Sequence, residues 1–155
     1  AAALGGAAKL TTVDLSSKYL DWSKRNFQLN ALNIENFQFH AMDSLEYLNY
    51  AARKKLNFDY IVCDPPSYSR NKGKNFRIDK DFPELIEAMN LLLSPSGTIL
   101  FSSNYENWSS DFWKKKLQEV CDPMGLKVLP RPHTGGDFEL DPSKSLMKAF
   151  HIEKK

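Results

Sequence analysis

Strand-like and helix-like segments alternate along the chain, and this alternation restricts the possible folds more than any other feature. Apolar or β-branched runs predict strands at 10–15, 35–42, 58–64, 98–103, 126–130 and 145–153. Apolar residues at helical spacing predict helices at 16–32, 44–55, 81–93 and 109–121. Asp81 and Glu84 resemble a capping box, and connections are expected at 94–97 and 131–144. The pattern predicts an α/β domain with a mostly parallel sheet.

Composition sets limits on the class of protein. The 155 residues suit one domain, 1–155, and the 42% hydrophobic and 26% charged content is typical of a globular protein. The net charge of +2 gives no sign of nucleic-acid binding, so that function must be argued from where the charges lie. Cys63 and Cys121 have neither metal-ligand spacing nor a disulfide framework, which favours a reducing, cytoplasmic setting. No apolar run reaches the roughly 18 residues of a membrane span.

Three successive predicted strands each end in an aspartate: Asp14, Asp43 and Asp64. Ligands of open parallel sheets bind beyond the carboxyl ends of the strands. Asp14 could accept hydrogen bonds from both hydroxyls of a ribose, or it could cap the next helix. Asp43 could accept from an adenine amino group, or cap the helix that begins near Ser44. For Asp14 the position of ligands in such sheets favours the ligand role, whereas for Asp43 both alternatives stay open.

Gly5 and Gly6 do not form the glycine-rich turn that usually accompanies a ribose-binding acid. That turn precedes the acid by about 20 residues, whereas Gly5 and Gly6 lie nine and eight residues before Asp14. They are better interpreted as the C-cap of a helix. The expectation is that the glycine turn and the first strand of the sheet lie before residue 1, and that the domain is N-terminally truncated.

The run Asp64-Pro65-Pro66-Ser67-Tyr68 forms a stiff, polar end to the third strand. Two prolines fix two φ angles and remove two backbone donors, and Asp64 is held extended before them. The corner therefore offers hydrogen-bond acceptors, which suit a cationic cofactor or the amino edge of a nucleobase. Tyr68 could stack on a flat base.

A basic segment, "RNKGKNFRIDK" at 70–80, follows this corner directly. Most charged runs are solvated loops. Because phosphate contacts supply much of the affinity for nucleic acids, its place after the corner favours contact with RNA. The predicted RNA-binding residues are Arg70, Lys72, Lys74 and Arg77.

The motifs "TVDLS", "AMDSL", "FDYIVCDPPSYS" and "GTILFSSN", in this order and spacing, resemble those of class I S-adenosylmethionine-dependent methyltransferases. The likeness is greatest to bacterial enzymes that methylate 23S ribosomal RNA on cytosine C5 or guanine N7, and it covers essentially the whole chain. The resemblance implies a Rossmann-like, mostly parallel sheet with an antiparallel last strand. It also implies S-adenosylmethionine as cofactor and 23S ribosomal RNA as partner.

The resemblance assigns roles to individual residues. Asp14 would bind the ribose of the cofactor, Asp43 its adenine, and the Asp-Pro-Pro motif would line the site of transfer. The implied cofactor-binding residues are Asp14, Leu15, Asp43, Ser44 and Asp64, and the implied catalytic residues are Asp64, Pro65, Pro66 and Tyr68. The glycine-rich cofactor loop and the N-terminal RNA-binding domain of such enzymes have no counterpart in the sequence.

The choice of methylated atom depends on whether the chain has a nucleophilic thiol. Methylation of cytosine C5 needs a thiolate that adds to C6, and the positions where relatives carry that cysteine hold Ser67 and the run 102–104. Cys63 should point to the face opposite Asp64. A ring nitrogen such as guanine N7 needs no thiol, and is favoured. Alternatives are cytosine C5 methylation, a small-molecule methyltransferase, a nicotinamide-dependent oxidoreductase and an inactive fragment.

Overall fold

The structure is a computed structural model that describes residues 2–71, 73–130 and 148–155, apart from the side chains of Lys74 and Pro130. The chain divides into two compact units, Ala1–Ala51 and Ala52–Lys155. Each unit is built from alternating strands and helices, as the sequence predicts. No helix in the described ranges is long and apolar enough to cross a membrane.

The first unit contains a parallel pair of strands with their helices. Its elements are β1 (Leu10–Asp14), α1 (Ser17–Leu29), β2 (Phe37–Ala41) and the start of α2 (Ser44–Arg53). The strands pair from Leu10↔Phe37 to Asp14↔Ala41, so their carboxyl ends share one edge. Ser16 caps α1 by accepting a hydrogen bond from the Tyr19 backbone N–H, as expected of a serine at a helix start.

The second unit contains a four-stranded sheet and a hairpin. Its elements are β3 (Phe58–Cys63), β4 (Tyr68–Asn71), β5 (Lys74–Arg77), α3 (Ile78–Asn90), β6 (Leu93–Ser103), α4 (Ser110–Cys121), a 3-10 turn (Asp122–Met124), β7 (Leu126–Pro130) and β8 (Lys148–Lys154). The sheet order is β3-β6-β8-β7. Because β6 is parallel to β3, and β8 is antiparallel to both β6 and β7, only the last strand opposes the others.

One face of this sheet forms the core of the second unit. Ile99, Phe101, Phe150 and Ile152 lie on that face and are almost completely buried. Trp113 of α4 packs against Phe101, with ring centroids 5.5 Å apart. Since alternate residues of a strand point to opposite faces, this packing fixes which side chains of β6 and β8 face the helices.

The structure corrects several local predictions. The basic segment expected to be a loop forms the antiparallel hairpin of β4 and β5, and α3 begins at Ile78 rather than at 81. Gly73 has a φ of 83°, a left-handed conformation that glycine adopts without strain and that suits a two-residue hairpin turn. The sequence pattern "NKGK" carries this turn signal within a run of charges.

Helix α3 also lacks the predicted capping box. Its N-cap is Arg77, which makes no side-chain capping bond; instead the Arg77 backbone N–H donates to Asp81 Oδ2 at 2.6 Å. Because the helix begins at Ile78, Pro83 lies inside it.

Two further predictions differ from the structure or cannot be compared with it, and a third agrees with it. The segment 94–97 belongs to β6. Residues 2–6 form turns, and Gly6, with a φ of 90°, ends them as a helix C-cap does: the Gly6 N–H donates to the Ala3 carbonyl and the Ala7 N–H to the Ala2 carbonyl, both at 3.1 Å. At Gly97, a Cβ would lie 2.7 Å from Leu93 Cδ1, so packing rather than a turn requires glycine there. The predicted loop at 131–144 lies outside the described residues.

Replacing Ile152, which is 0% exposed, by alanine is expected to lower the free energy of unfolding by about 2–5 kcal/mol. The reason is that removing its buried methyl and methylene groups leaves a cavity in the core. Val62, which is 64% exposed, provides the control; Val62→Ala should cost less than about 0.5 kcal/mol. Urea unfolding followed by circular dichroism measures both. Equal losses in the two variants would contradict the assignment of the buried face.

Candidate active site

In the first unit, the predicted acids lie together at the carboxyl edge of the parallel pair. Asp14 is the last residue of β1 and pairs with Ala41, and Asp43 follows two residues later in the chain. The Met42 backbone N–H donates to the Asp14 carbonyl at 3.1 Å, which holds the two strand ends together. The arrangement follows from parallel pairing, which brings equivalent ends of strands to one edge.

Each of these carboxylates has a structural bond on one oxygen only. Asp14 Oδ1 accepts the Ser16 backbone N–H at 2.7 Å. Asp43 Oδ1 accepts the backbone N–H groups of Leu45 and Glu46 at 3.0 and 3.2 Å, which is a helix cap. Oδ2 of either acid has no hydrogen-bond partner within the described ranges. The capping alternative therefore holds for Asp43, and an acceptor remains for a ligand on both acids.

Leu15 and Ser44 follow these acids directly and both are exposed. Leu15 is 47% exposed, so an apolar surface lies next to the ribose-type acceptor of Asp14. A ligand with a sugar and a flat ring needs such a combination of acceptors and apolar surface.

In the second unit, two hydrogen bonds connect the ends of neighbouring parallel strands. Cys63 of β3 is in register with Phe101 of β6, which places Asp64 beside Ser102. The buried Ser102 hydroxyl donates to Asp64 Oδ1 at 2.8 Å. Further along, the Ser67 hydroxyl donates to Asn104 Oδ1 at 3.1 Å. These two bonds attach the corner, residues 64–67, to the end of β6.

The corner presents mainly acceptors, as the sequence predicts. Pro65 and Pro66 have no backbone N–H. The Ser67 carbonyl accepts a hydrogen bond from the Ile78 backbone N–H at 3.2 Å. Asp64 is exposed despite its bond to Ser102. Its carboxylate can therefore accept hydrogen bonds from, or attract, a cationic or amino group at this edge.

Tyr68 begins β4 directly after the corner and is 57% exposed. Its hydroxyl donates to Asn75 Oδ1 at 3.2 Å, which ties it to β5. The ring is thus held by the hairpin while its surface stays accessible, the property that stacking on a base requires.

The hairpin carries the predicted RNA-binding cations, two of which have described side chains. Arg70 is exposed. Arg77 donates to Asp79 at 2.8 and 3.2 Å, a hydrogen bond that raises the pKa of Arg77 and lowers the pKa of Asp79. Lys72 and the side chain of Lys74 lie outside the described residues. The charge of Arg77 is therefore partly matched within the chain, whereas no ion pair is found for Arg70 in the described ranges.

Neither cysteine is prepared to act as a nucleophile. Burial and the charge of Asp64 raise the pKa of Cys63 to about 12. Burial and Asp122 likewise raise the pKa of Cys121 to about 12. The thiolate is the reactive form, and at neutral pH both thiols stay protonated. The interpretation of Cys63 as a structural residue agrees with this environment.

Sequence reasoning missed the partners of the corner. Ser102 and Asn104 were considered only as places where a cysteine was lacking, yet they are the groups that hold Asp64 and Ser67. The signal that identifies Ser102 is the parallel pairing of β3 with β6. Asp64 directly follows Cys63, Ser102 directly follows Phe101, and Cys63 and Phe101 are in register.

A sequence model of the S-adenosylmethionine-dependent methyltransferase family matches residues 1–150. The chain belongs to this family, whose cofactor is the predicted S-adenosylmethionine. Family membership also confirms the Rossmann-like methyltransferase fold.

Individual relatives are consistent with that placement. Ribosomal RNA large subunit methyltransferase K of Neisseria meningitidis serogroup B is 42% identical over 156 residues, covering 99% of this chain and 42% of that protein. Ribosomal RNA large subunit methyltransferase K/L of a Shewanella species is 37% identical over 143 residues, covering 85% and 20%. The crystal structure of SMU.776 complexed with SAH has a TM-score of 0.88 and 34% identity, covering 98% and 40%. The chain thus spans less than half of each.

The raised thiol pKa values predict low reactivity in the folded protein. A thiol whose pKa is higher in the folded than in the unfolded protein keeps its proton as the pH rises past the unfolded pKa. Because only the thiolate attacks Ellman's reagent, the native thiols should react slowly with it at pH 8. The reaction is expected to be at least about 100-fold slower than in denaturant, where thiols ionise near pH 8.5. A native thiol that reacts as fast as free cysteine would contradict the raised pKa of that group.

Proposed function

We propose that the protein transfers a methyl group from S-adenosylmethionine to a base of 23S ribosomal RNA in the cytoplasm, with guanine N7 favoured as the acceptor atom. The support is family membership, together with relatives named as ribosomal RNA large subunit methyltransferases. The observation that carries the proposal within the chain is the Ser102–Asp64 bond, which fixes an acceptor at the end of β3.

For the cofactor, we assign the free oxygens of the two acids in the first unit. Asp14 Oδ2 would accept from a ribose hydroxyl, and Asp43 Oδ2 from the adenine amino group. Leu15 would contact the adenine or ribose, and Ser44 lies beside the Asp43 cap. The residues present fit a nucleoside that carries hydroxyl and amino donors.

For transfer, we assign positioning roles to the corner and to Tyr68. The sulfonium of the cofactor supplies an already activated methyl group, so the protein has to orient the acceptor. The Asp64 carboxylate would accept a hydrogen bond from an amino group, or attract a cationic group, of the cofactor or the base. Pro65 and Pro66 keep that acceptor rigid, and Tyr68 offers a stacking surface.

The environment of the thiols supports a nitrogen acceptor. Addition to cytosine C6 requires a thiolate near the base, and the pKa of each cysteine is raised to about 12. Guanine N7 has a lone pair and no proton to lose, so transfer to it needs neither thiol nor general base.

For RNA, we assign phosphate contacts to the hairpin. The cations are Arg70, Lys72, Lys74 and Arg77. Arg70 is expected to contribute more than Arg77, because Asp79 already binds the Arg77 guanidinium. An ion pair must be broken or shared before that guanidinium can bind a phosphate.

Removing the Asp14 carboxylate is expected to weaken cofactor binding by roughly 10- to 100-fold, the effect of losing a charge-assisted hydrogen bond. Calorimetric titration with S-adenosylhomocysteine measures the affinity of the Asp14→Ala variant. Asp21→Ala is the matched control, because Asp21 is exposed on α1 and pairs only with Lys24 among the described groups. Equal affinity of the two variants would refute the ribose assignment.

Asp64→Ala is expected to reduce methyl transfer at least about 100-fold while the circular dichroism spectrum stays unchanged, since misplacement of the acceptor base removes the aligned geometry. Labelled S-adenosylmethionine and unmodified 23S ribosomal RNA, followed by nucleoside analysis, report both rate and product.

The control for this variant lies on β3, the strand that Asp64 follows. Asp59→Ala removes an exposed carboxylate that accepts from Ser94 at 2.9 Å, and it should retain transfer. Retained activity in Asp64→Ala would show that the corner does not take part. A product methylated on cytosine C5 would show that the proposed atom is wrong.

A further inference from the structure

Asn104 provides a hydrogen-bond donor at an edge where the other side-chain donors are committed. The hydroxyls of Ser102, Ser67 and Tyr68 donate to Asp64, Asn104 and Asn75 respectively. The prolines of the corner contribute no N–H. In the part of the chain that the structure describes, the amide nitrogen of Asn104 has no hydrogen-bond partner, although Asn104 is exposed directly after β6.

The hydrogen bond from Ser67 occupies one end of this amide. The Ser67 hydroxyl donates to Oδ1, which leaves the NH2 group, with its two hydrogens, on the other branch of the side chain. In this arrangement Asn104 presents a donor, rather than an acceptor, toward a ligand at the corner.

Two other loop or helix-end asparagines use their amide nitrogen for local structure. Asn30 donates to the Asn26 carbonyl at 2.8 Å, and Asn107 donates to the Tyr105 hydroxyl at 3.1 Å. Asn104 makes no such bond among the described residues, so its amide is not needed to hold the loop after β6.

A directed amide donor discriminates between purines. Beside N7, guanine presents the O6 acceptor, whereas adenine presents the N6 amino donor. A donor beside the reacting N7 can therefore bond to O6 of guanine. With adenine, the same donor would face the N6 amino group, which is also a donor.

We propose that Asn104, oriented by the Ser67 hydroxyl, selects guanine over adenine by donating to O6 of the target base. This assignment rests on the proposed function, which it extends from a methylated nitrogen to the means of choosing the base. Ser67 acts as a positioning residue, since its effect is exerted through Asn104.

The test exchanges the donor and the acceptor on both sides of the contact. Asn104→Asp keeps the size of the side chain and the bond from Ser67, but presents an acceptor. Guanine in the substrate is replaced by 2,6-diaminopurine, which keeps N7 and carries an amino donor in place of O6. Inosine, which keeps O6 and lacks only the 2-amino group, is the control base.

Transfer is measured on a synthetic RNA hairpin that carries the nucleotide methylated by the unaltered protein. That protein should prefer guanine to 2,6-diaminopurine by about 10- to 100-fold, the range for one mismatched base contact, and should accept inosine nearly as well as guanine. Asn104→Asp should reverse the preference. An unchanged ratio in this variant would overturn the inference.

Two further variants separate orientation from fold. Ser67→Ala frees the amide to turn, so the guanine preference should fall toward one, and Ser67→Thr, which retains the hydroxyl, should restore it. Asn107→Asp introduces the same charge in the same loop and should leave the ratio unchanged. If Ser67→Ala kept the full preference, the orienting role would be refuted.

A binding measurement distinguishes failure of this inference from failure of the proposed function. The side-chain amide signals of 15N-labelled Asn104 are followed while short oligouridine strands, each with one central guanine or 2,6-diaminopurine, are added. Shifts confined to the guanine strand support the inference, and equal or absent shifts overturn it. Absence of methyl transfer by the unaltered protein would refute the proposed function, while this readout still decides the role of Asn104.

Discussion

Parallel pairing of β3 with β6 is the constraint on which the candidate transfer site depends. Because Cys63 is in register with Phe101, the residues that follow them, Asp64 just after β3 and Ser102 within β6, are neighbours, and the Ser102 hydroxyl reaches Asp64 Oδ1 at 2.8 Å. The same logic applies independently in the first unit, where the pairing of β1 with β2 brings Asp14 and Asp43 to one edge. In each case the sheet supplies rigidity and the residues just beyond it supply chemistry.

The distribution of donors and acceptors is the common theme of these edges. Asp14 and Asp43 each use one oxygen for the backbone and keep the other available, which permits one side chain to serve both fold and ligand. At the corner, proline removes backbone donors and hydroxyls are committed to Asp64 and Asn104. The amide nitrogen of Asn104, for which the described residues offer no acceptor, would carry more information about the bound base than the acceptors around it, because every nucleobase has an edge that can donate to a carboxylate.

The sequence was informative where a property is local and less so where it depends on register or packing. The strand-ending acids and the double proline could be recognised because each is a short pattern with a direct physical meaning. The hairpin was missed because Gly73, whose φ is 83°, stood within a run of charges that favoured a loop. The role of Gly97 depends on its contact with Leu93, which no local pattern reveals. The bonds of Ser102 and Asn104 required the strand register, which is fixed only by pairing.

The most direct measurement of the central claim is a map of where the spent cofactor binds, made from the backbone amide signals of 15N-labelled protein during titration with S-adenosylhomocysteine. If the strand-end acids of the first unit bind the cofactor, the largest shifts will include residues 14–16 and 43–46. Shifts confined to α4 or to the β7–β8 pair, with those two segments unchanged, would contradict the account.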